Sequence, residues 1–82
     1  MTAVRMYSRA ACGLCDEART VVNAVRAERP FEFEEVLIDR EDDLERAYGT
    51  RVPVLLVDGR EEFELVVDAD ALRALVGASR DA

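Results

Sequence analysis

The spacing of apolar residues changes twice between Val4 and Ile38, and this double change restricts the folds open to the chain more than any other feature of its 82 residues. Val4 and Met6 alternate with polar neighbours up to Tyr7, the period of a half-buried strand, and the polar pair Ser8-Arg9 ends the run. From Leu14 the period lengthens: Leu14, Cys15, Ala18, Val21, Val22 and Val25 recur at three- and four-residue steps, leaving Asp16, Glu17, Arg19, Asn23 and Arg26 on the opposite side. This is an amphipathic helix. Its first turn is acidic, Arg26 and Arg29 lie near its end where the helix dipole favours them, and Pro30 stops it. Phe31-Glu32-Phe33-Glu34 alternates again and runs into Val36-Leu37-Ile38, a second strand. Strand, helix and strand in this order close most simply as a right-handed parallel unit.

The rest of the chain continues in short elements. Glu41, Asp42 and Asp43 suit the first turn of a short helix with Leu44, Ala47 and Tyr48 inward and Gly49 as a left-handed cap. Val54 to Val57 reads as a buried strand, and Asp58-Gly59 as a hairpin turn into a strand from Phe63 to Val67. Asp68 is placed to cap a last helix that turns Leu72, Leu75 and Val76 inward and ends at Gly77. The expected fold class is α/β, with the order βαβαββα and a four-stranded mixed sheet flanked by helices on both faces. Residues 1–82 are expected to form a single domain. A chain of this length buries only about 60% of its unfolded surface, but half of its residues are hydrophobic, enough for a core without a covalent brace.

Composition removes several function classes. There is no His, so one chain cannot build an imidazole-assisted nucleophile or a His-ligated metal. Two Cys cannot complete a four-thiolate site alone. Eleven basic residues, all Arg, stand against 18 acidic ones, and a net charge of −7 repels phosphates. Neither a nucleic acid nor a membrane is expected as partner. The apolar run Val52 to Val57 is far shorter than the roughly 20 residues that span a bilayer, and Arg5 and Arg9 interrupt the start of the chain before a signal-like segment forms. A cytoplasmic location, where thiols are kept reduced, is expected.

The two cysteines then carry the chemistry. Cys12-Gly13-Leu14-Cys15 follows a strand and opens a helix inside a βαβ pattern, the setting that makes C-x-x-C a redox motif. Backbone N–H groups of a first helical turn lack intrahelical partners, so a thiolate at Cys12 can accept from them and is favoured by the dipole. Its pKa is expected below the free value of about 8.5. Arg9 is positioned to favour the thiolate, against Asp16 and Glu17. Cys15, one turn on and on the apolar face, is expected to be buried. The bland alternative for the pair is two small buried hydrophobes.

Tyr7-Ser8-Arg9, Cys12-Gly13-Leu14-Cys15-Asp16-Glu17-Ala18, Tyr48-Gly49, Arg51-Val52-Pro53-Val54-Leu55 and Val57-Asp58-Gly59 together resemble the small bacterial glutaredoxin-like proteins of the thioredoxin fold, over nearly the whole chain. The resemblance implies that Pro53 is a cis-proline facing the active site and that the Val52 backbone pairs with an extended substrate. Arg51, ahead of that proline, is a candidate to meet an anionic substrate such as a glutathione carboxylate. Asp68 and Asp70 match the acidic pair at the last helix where such proteins hold the glutathione backbone. The departures are Gly13 and Leu14 in place of Pro and an aromatic residue, and Val66-Val67 in place of a Gly-Gly turn. Compared with thioredoxins, Met6 stands where a buried acid is usual and no Trp precedes the motif. Glu32, Glu34, Glu35, Glu41, Asp42, Asp43, Glu61 and Glu62 read as solvated charges, and Tyr7 as a strand residue beside the site.

The expected activity is thiol–disulfide oxidoreduction by a Cys12/Cys15 dithiol acting on a disulfide-containing protein or a glutathione mixed disulfide. No bound cofactor or metal is expected. Glutathione would enter as a co-substrate, a thiol would supply the electrons, and the chain would act as a monomer. Two other readings are a non-catalytic peptide-binding module with a redox-sensitive pair, and an iron-sulfur carrier bridging a dimer.

Overall fold

A computed structural model describes residues 2–81. Its order is β1 (Ala3–Ser8), α1 (Gly13–Glu28), β2 (Glu32–Leu37), α2 (Asp42–Tyr48), β3 (Val54–Val57), β4 (Arg60–Glu64) and α3 (Ala69–Asp81). One sheet is formed in the order β2-β1-β3-β4. β1 runs parallel to β2, as a helical crossover requires, and antiparallel to β3, which pairs antiparallel with β4 through the Asp58-Gly59 turn. Asp58 and Gly59 both adopt positive φ, 51° and 86°, the backbone that matches a two-residue turn to the twist of its strands.

The pleat of β1 sorts the core into two parts. Val4 and Met6 point to one face, where α1 supplies Ala18, Val22 and Val25, β3 supplies Leu55 and Val57, and α3 supplies Leu72 and Val76. Met6, Val22, Val25, Leu55 and Leu72 are fully buried there, and each such side chain stabilises the fold by about 1.5–3 kcal/mol relative to exposure. Tyr7 points to the opposite face, where a smaller cluster gathers Cys15, Ile38 and Val52 with Tyr7, Cys12, Leu44 and Tyr48 packed against it. The short α2 thus covers only the end of that face next to the cysteines. The other half, around Ala3, Arg5, Glu32, Glu34 and Leu56, forms an open groove of about 470 Å³.

Three local expectations are corrected. Gly49 is helical, with φ −51°; a Cβ there would meet the Glu45 carbonyl oxygen and lie 3.3 Å from Arg9 Nη2, which donates to the Gly49 carbonyl at 3.0 Å. Gly77 does not end α3, which runs on to Asp81; a Cβ at Gly77 would lie 2.5 Å from Arg29 Nη1, so the glycine lets the end of α1 approach α3. β4 begins at Arg60 and ends at Glu64, not Val67. Leu65 leaves the strand at φ 69° as its N–H donates to the Pro53 carbonyl at 2.8 Å.

Candidate active site

Cys12 stands at the end of the β1–α1 connection with extended backbone, φ −117° and ψ 111°, and serves as the N-cap of α1. Its Sγ accepts the Cys15 backbone N–H at 3.1 Å. A sulfur therefore fills the capping position that Ser or Asp usually fills, and it meets a free donor at the positive end of a 16-residue helix. The residue before it, Ala11, is held at φ 53°. Cys12 and Cys15 are joined as a disulfide with a Cα–Cα separation of 5.2 Å. Cys15 is fully buried and Cys12 is half-buried, so only one sulfur of the pair is open to a partner.

Val52 and Pro53, both buried, form the other wall of the site. The bond between them is cis, and Val52 shares the small cluster with both cysteines. Behind this wall Tyr7 and Tyr48 stack with ring centroids 4.3 Å apart and planes 12° from parallel, and Arg51 Cζ lies 5.3 Å from the Tyr48 centroid. Burial raises the pKa of the Tyr48 hydroxyl, and the nearby Tyr7 adds to the rise. Arg51 is turned toward protein carboxylates: Nη1 lies 2.9 Å from Glu61 and 3.7 Å from Glu64, while Nη2 donates to the Ala47 carbonyl at 2.9 Å.

Arg9, expected beside the thiolate, reaches across to α2. Its guanidinium meets Glu45 at 2.6 Å and Asp39 at 3.9 Å, and Asp39 in turn accepts the Ala10 N–H at 3.0 Å. These contacts pin the loop ahead of Cys12 to the β2–α2 connection. Asp68 caps α3 with Oδ1, which accepts from the Asp70 and Ala71 N–H groups at 2.9 and 3.4 Å. The structure therefore gathers Cys12, Cys15 and Val52 in one cluster, joins Pro53 to it through the cis bond after Val52, adjoins Arg9 and Arg51 through α2 and Tyr48, and engages Asp68 with its own helix.

One group beside the site escaped sequence reading. Glu35, expected as a solvated charge, accepts from Arg19 Nε at 2.8 Å and from the fully buried Ser8 hydroxyl at 2.6 Å, with Arg19 Nη2 on its second oxygen as well. Arg19 also donates to Asp16 at 2.7 Å. Hydrogen bonding to Arg19 holds the Glu35 carboxyl below its ordinary value, and the same contact raises the Arg19 pKa. The signal was one of parity: Glu35 pairs with Met6 in register and follows Phe31 and Phe33 on the inward side of β2, where an apolar residue is the rule.

The model of the glutaredoxin-like domain (DUF836) matches residues 3–77. The chain belongs to this family. The glutaredoxin-like domain is similar to the X. campestris protein XcR50, with 41% identity, 92% of this chain and 96% of that chain covered, and a TM-score of 0.78. It is similar to Ne2328 from Nitrosomonas europaea, at 30% identity over 90% and 89% of the two chains, with a TM-score of 0.78. A variant thioredoxin from Halobacterium salinarum aligns over 94% of this chain and 73% of its own, with 29% identity and a TM-score of 0.65. The glutaredoxin-like domain thus has the thioredoxin fold, with its cysteine pair at the start of the first helix. Among the described residues, no helix is long and apolar enough to cross a membrane.

Proposed function

We propose that this domain is a thiol–disulfide oxidoreductase that reduces disulfides of proteins or glutathione mixed disulfides through the Cys12/Cys15 pair. The observation that carries the reading is the capping contact: Cys12 Sγ accepts the Cys15 N–H at 3.1 Å at the start of α1, while Cys15 is buried beneath it. A charged sulfur at that position gains from the same donor and from the helix dipole, which lowers a thiol's pKa.

In the dithiol state the Cys12 thiolate attacks one sulfur of the substrate disulfide. A Cys12–substrate disulfide forms, and the other substrate sulfur leaves as a thiolate that takes a proton from water. Cys15 then loses its proton and attacks Cys12 Sγ, forming the Cys12–Cys15 bond and releasing the second substrate sulfur as a thiol. The substrate gains two electrons and two protons, and the pair is oxidised to the disulfide. An external thiol such as glutathione reverses the oxidation by the same exchange, with no bound cofactor. Val52 and Pro53 flank the sulfurs and are assigned to substrate alignment, and Arg51 to an anionic substrate group once it leaves Glu61. A cytoplasmic monomer in a reducing compartment fits this cycle.

Trapping tests the assignment. Cys15→Ser is expected to accumulate a mixed disulfide between Cys12 and a protein disulfide substrate, and Cys12→Ser to form none and to lose turnover. A mixed disulfide that persists without Cys12 would refute the roles.

A further inference from the structure

Among the described residues, three of the four exposed large hydrophobic side chains, Leu14 (42%), Leu65 (41%) and Val66 (68%), line one groove. It has a volume of about 230 Å³, is completed by Ala18, Val21 and Val67, and carries Glu17 on its rim. Exposed apolar side chains gathered in one place mark a binding surface. This one is linked to the cysteine motif on one side and to the cis-proline segment on the other. Leu14 lies between the two cysteines, and Leu65 is bonded through its N–H to the Pro53 carbonyl at 2.8 Å. Leu65 adopts φ 69°, a region that disfavours residues with a side chain, and thereby ends the strand with Leu65 and Val66 in solvent.

The surroundings select the occupant. Glu17 enters none of the ion pairs among the described residues, and Glu64 and Asp68 bracket the 65–67 wall in sequence. The Asp70 and Ala71 N–H groups at the start of α3 are taken by Asp68 Oδ1, so a ligand carboxylate cannot accept from either without displacing the cap. Glutathione, with two carboxylates and no apolar side chain, is a poor match for such a surface. A chain segment with an apolar side chain and a neighbouring positive charge matches both features.

On the oxidoreductase reading above, we infer that this groove selects protein disulfides over glutathione, taking an extended segment that sets an apolar side chain between Leu14 and Val66 and a basic residue toward Glu17. The chemical step is unchanged; the groove decides which sulfur is presented to Cys12.

The test compares three mixed disulfides of mercaptoethanol as substrates of the reduced domain, with dithiothreitol as the regenerating thiol. One is formed with a peptide carrying Leu and Arg near its cysteine, one with the same peptide carrying Ser and Glu, and one with glutathione. The Leu/Arg peptide is expected to exceed the other two in kcat/KM by about tenfold. Val66→Asp is expected to bring the three within about threefold, and Glu17→Arg to remove the preference for Arg over Glu. Equal efficiencies, or a preference for glutathione, overturn this inference and leave the oxidoreductase reading standing. If no substrate turns over, that reading fails, and binding decides the groove's role. A serine-for-cysteine Leu/Arg peptide is titrated into the isotope-labelled oxidised domain. Saturable NMR shifts at Leu14, Val21, Leu65 and Val66 support the groove, and their absence overturns it.

Discussion

Arg19 holds Glu35 by two parallel hydrogen bonds and so joins the helix that carries Cys15 to the edge strand β2, with the buried Ser8 hydroxyl as a third partner. Charge-assisted bonds of this geometry are among the stronger polar contacts in a protein. The Glu35 carboxyl is held below its ordinary value of 4.5. The pairing therefore stabilises the fold fully above that value and is lost as the pH falls through the depressed folded value. Glu35→Gln is expected to cost about 1–2 kcal/mol at neutral pH and to flatten the acid side of the stability profile. Urea unfolding of both proteins across the acidic range checks this; parallel profiles would refute it.

The Cys12 thiol is expected to titrate below the free value of about 8.5, because its stabilisation comes from the Cys15 N–H and the helix start. Arg9 points to Glu45, Asp39 and the Gly49 carbonyl. Arg9→Met is therefore expected to change the Cys12 pKa by less than about half a unit, while lowering thermal stability. Alkylation rate against pH measures the first effect and a melting curve the second. A rise of a full unit in the pKa would restore Arg9 as the activating charge.

Ala11 occupies the left-handed region at φ 53°, next to Cys12. Ala11→Gly is expected to stabilise the fold by about 0.5–1 kcal/mol, since glycine adopts this backbone without a Cβ penalty. Chemical denaturation of the oxidised protein gives the value, and a loss of stability would show that the conformation is not strained.

Asp68 satisfies two N–H groups at the start of α3. Asp68→Ala is expected to cost about 1 kcal/mol and Asp68→Asn much less, because the amide oxygen keeps the cap. Equal losses in the two variants would point to the charge instead.

The sheet, its crossover and the cysteine pair were legible because each rests on a local rule: period two at Val4 and Met6, three- and four-residue steps from Leu14, and C-x-x-C at the junction. Pro53 was legible through family resemblance. What stayed hidden depends on partners far away in the chain. Arg9 meets Glu45, 36 residues on, and Arg19 meets Glu35, 16 residues on. With 18 acids available, no local pattern says which one an arginine will find. Gly49 was misread as a left-handed cap and Gly77 as a helix end: Gly49 keeps right-handed backbone while its carbonyl accepts from the distant Arg9, and Gly77 lies inside α3, where Arg29 from the end of α1 packs against it. The end of β4 was misplaced because Leu65 turns where its amide finds Pro53, against the pull of Val66 and Val67 toward a longer strand.

The stacked rings of Tyr7 and Tyr48 give the molecule an optical probe of its own. The chain has no Trp and only two Tyr, so its tyrosine absorption near 280 nm arises at one place, where α2 sits on the sheet beside the cysteines. Within one redox state of the Cys12–Cys15 pair, whose disulfide is dichroic in the same region, near-ultraviolet circular dichroism thus watches the seating of that helix. A docking event that lifts α2 from the sheet will be seen without a label.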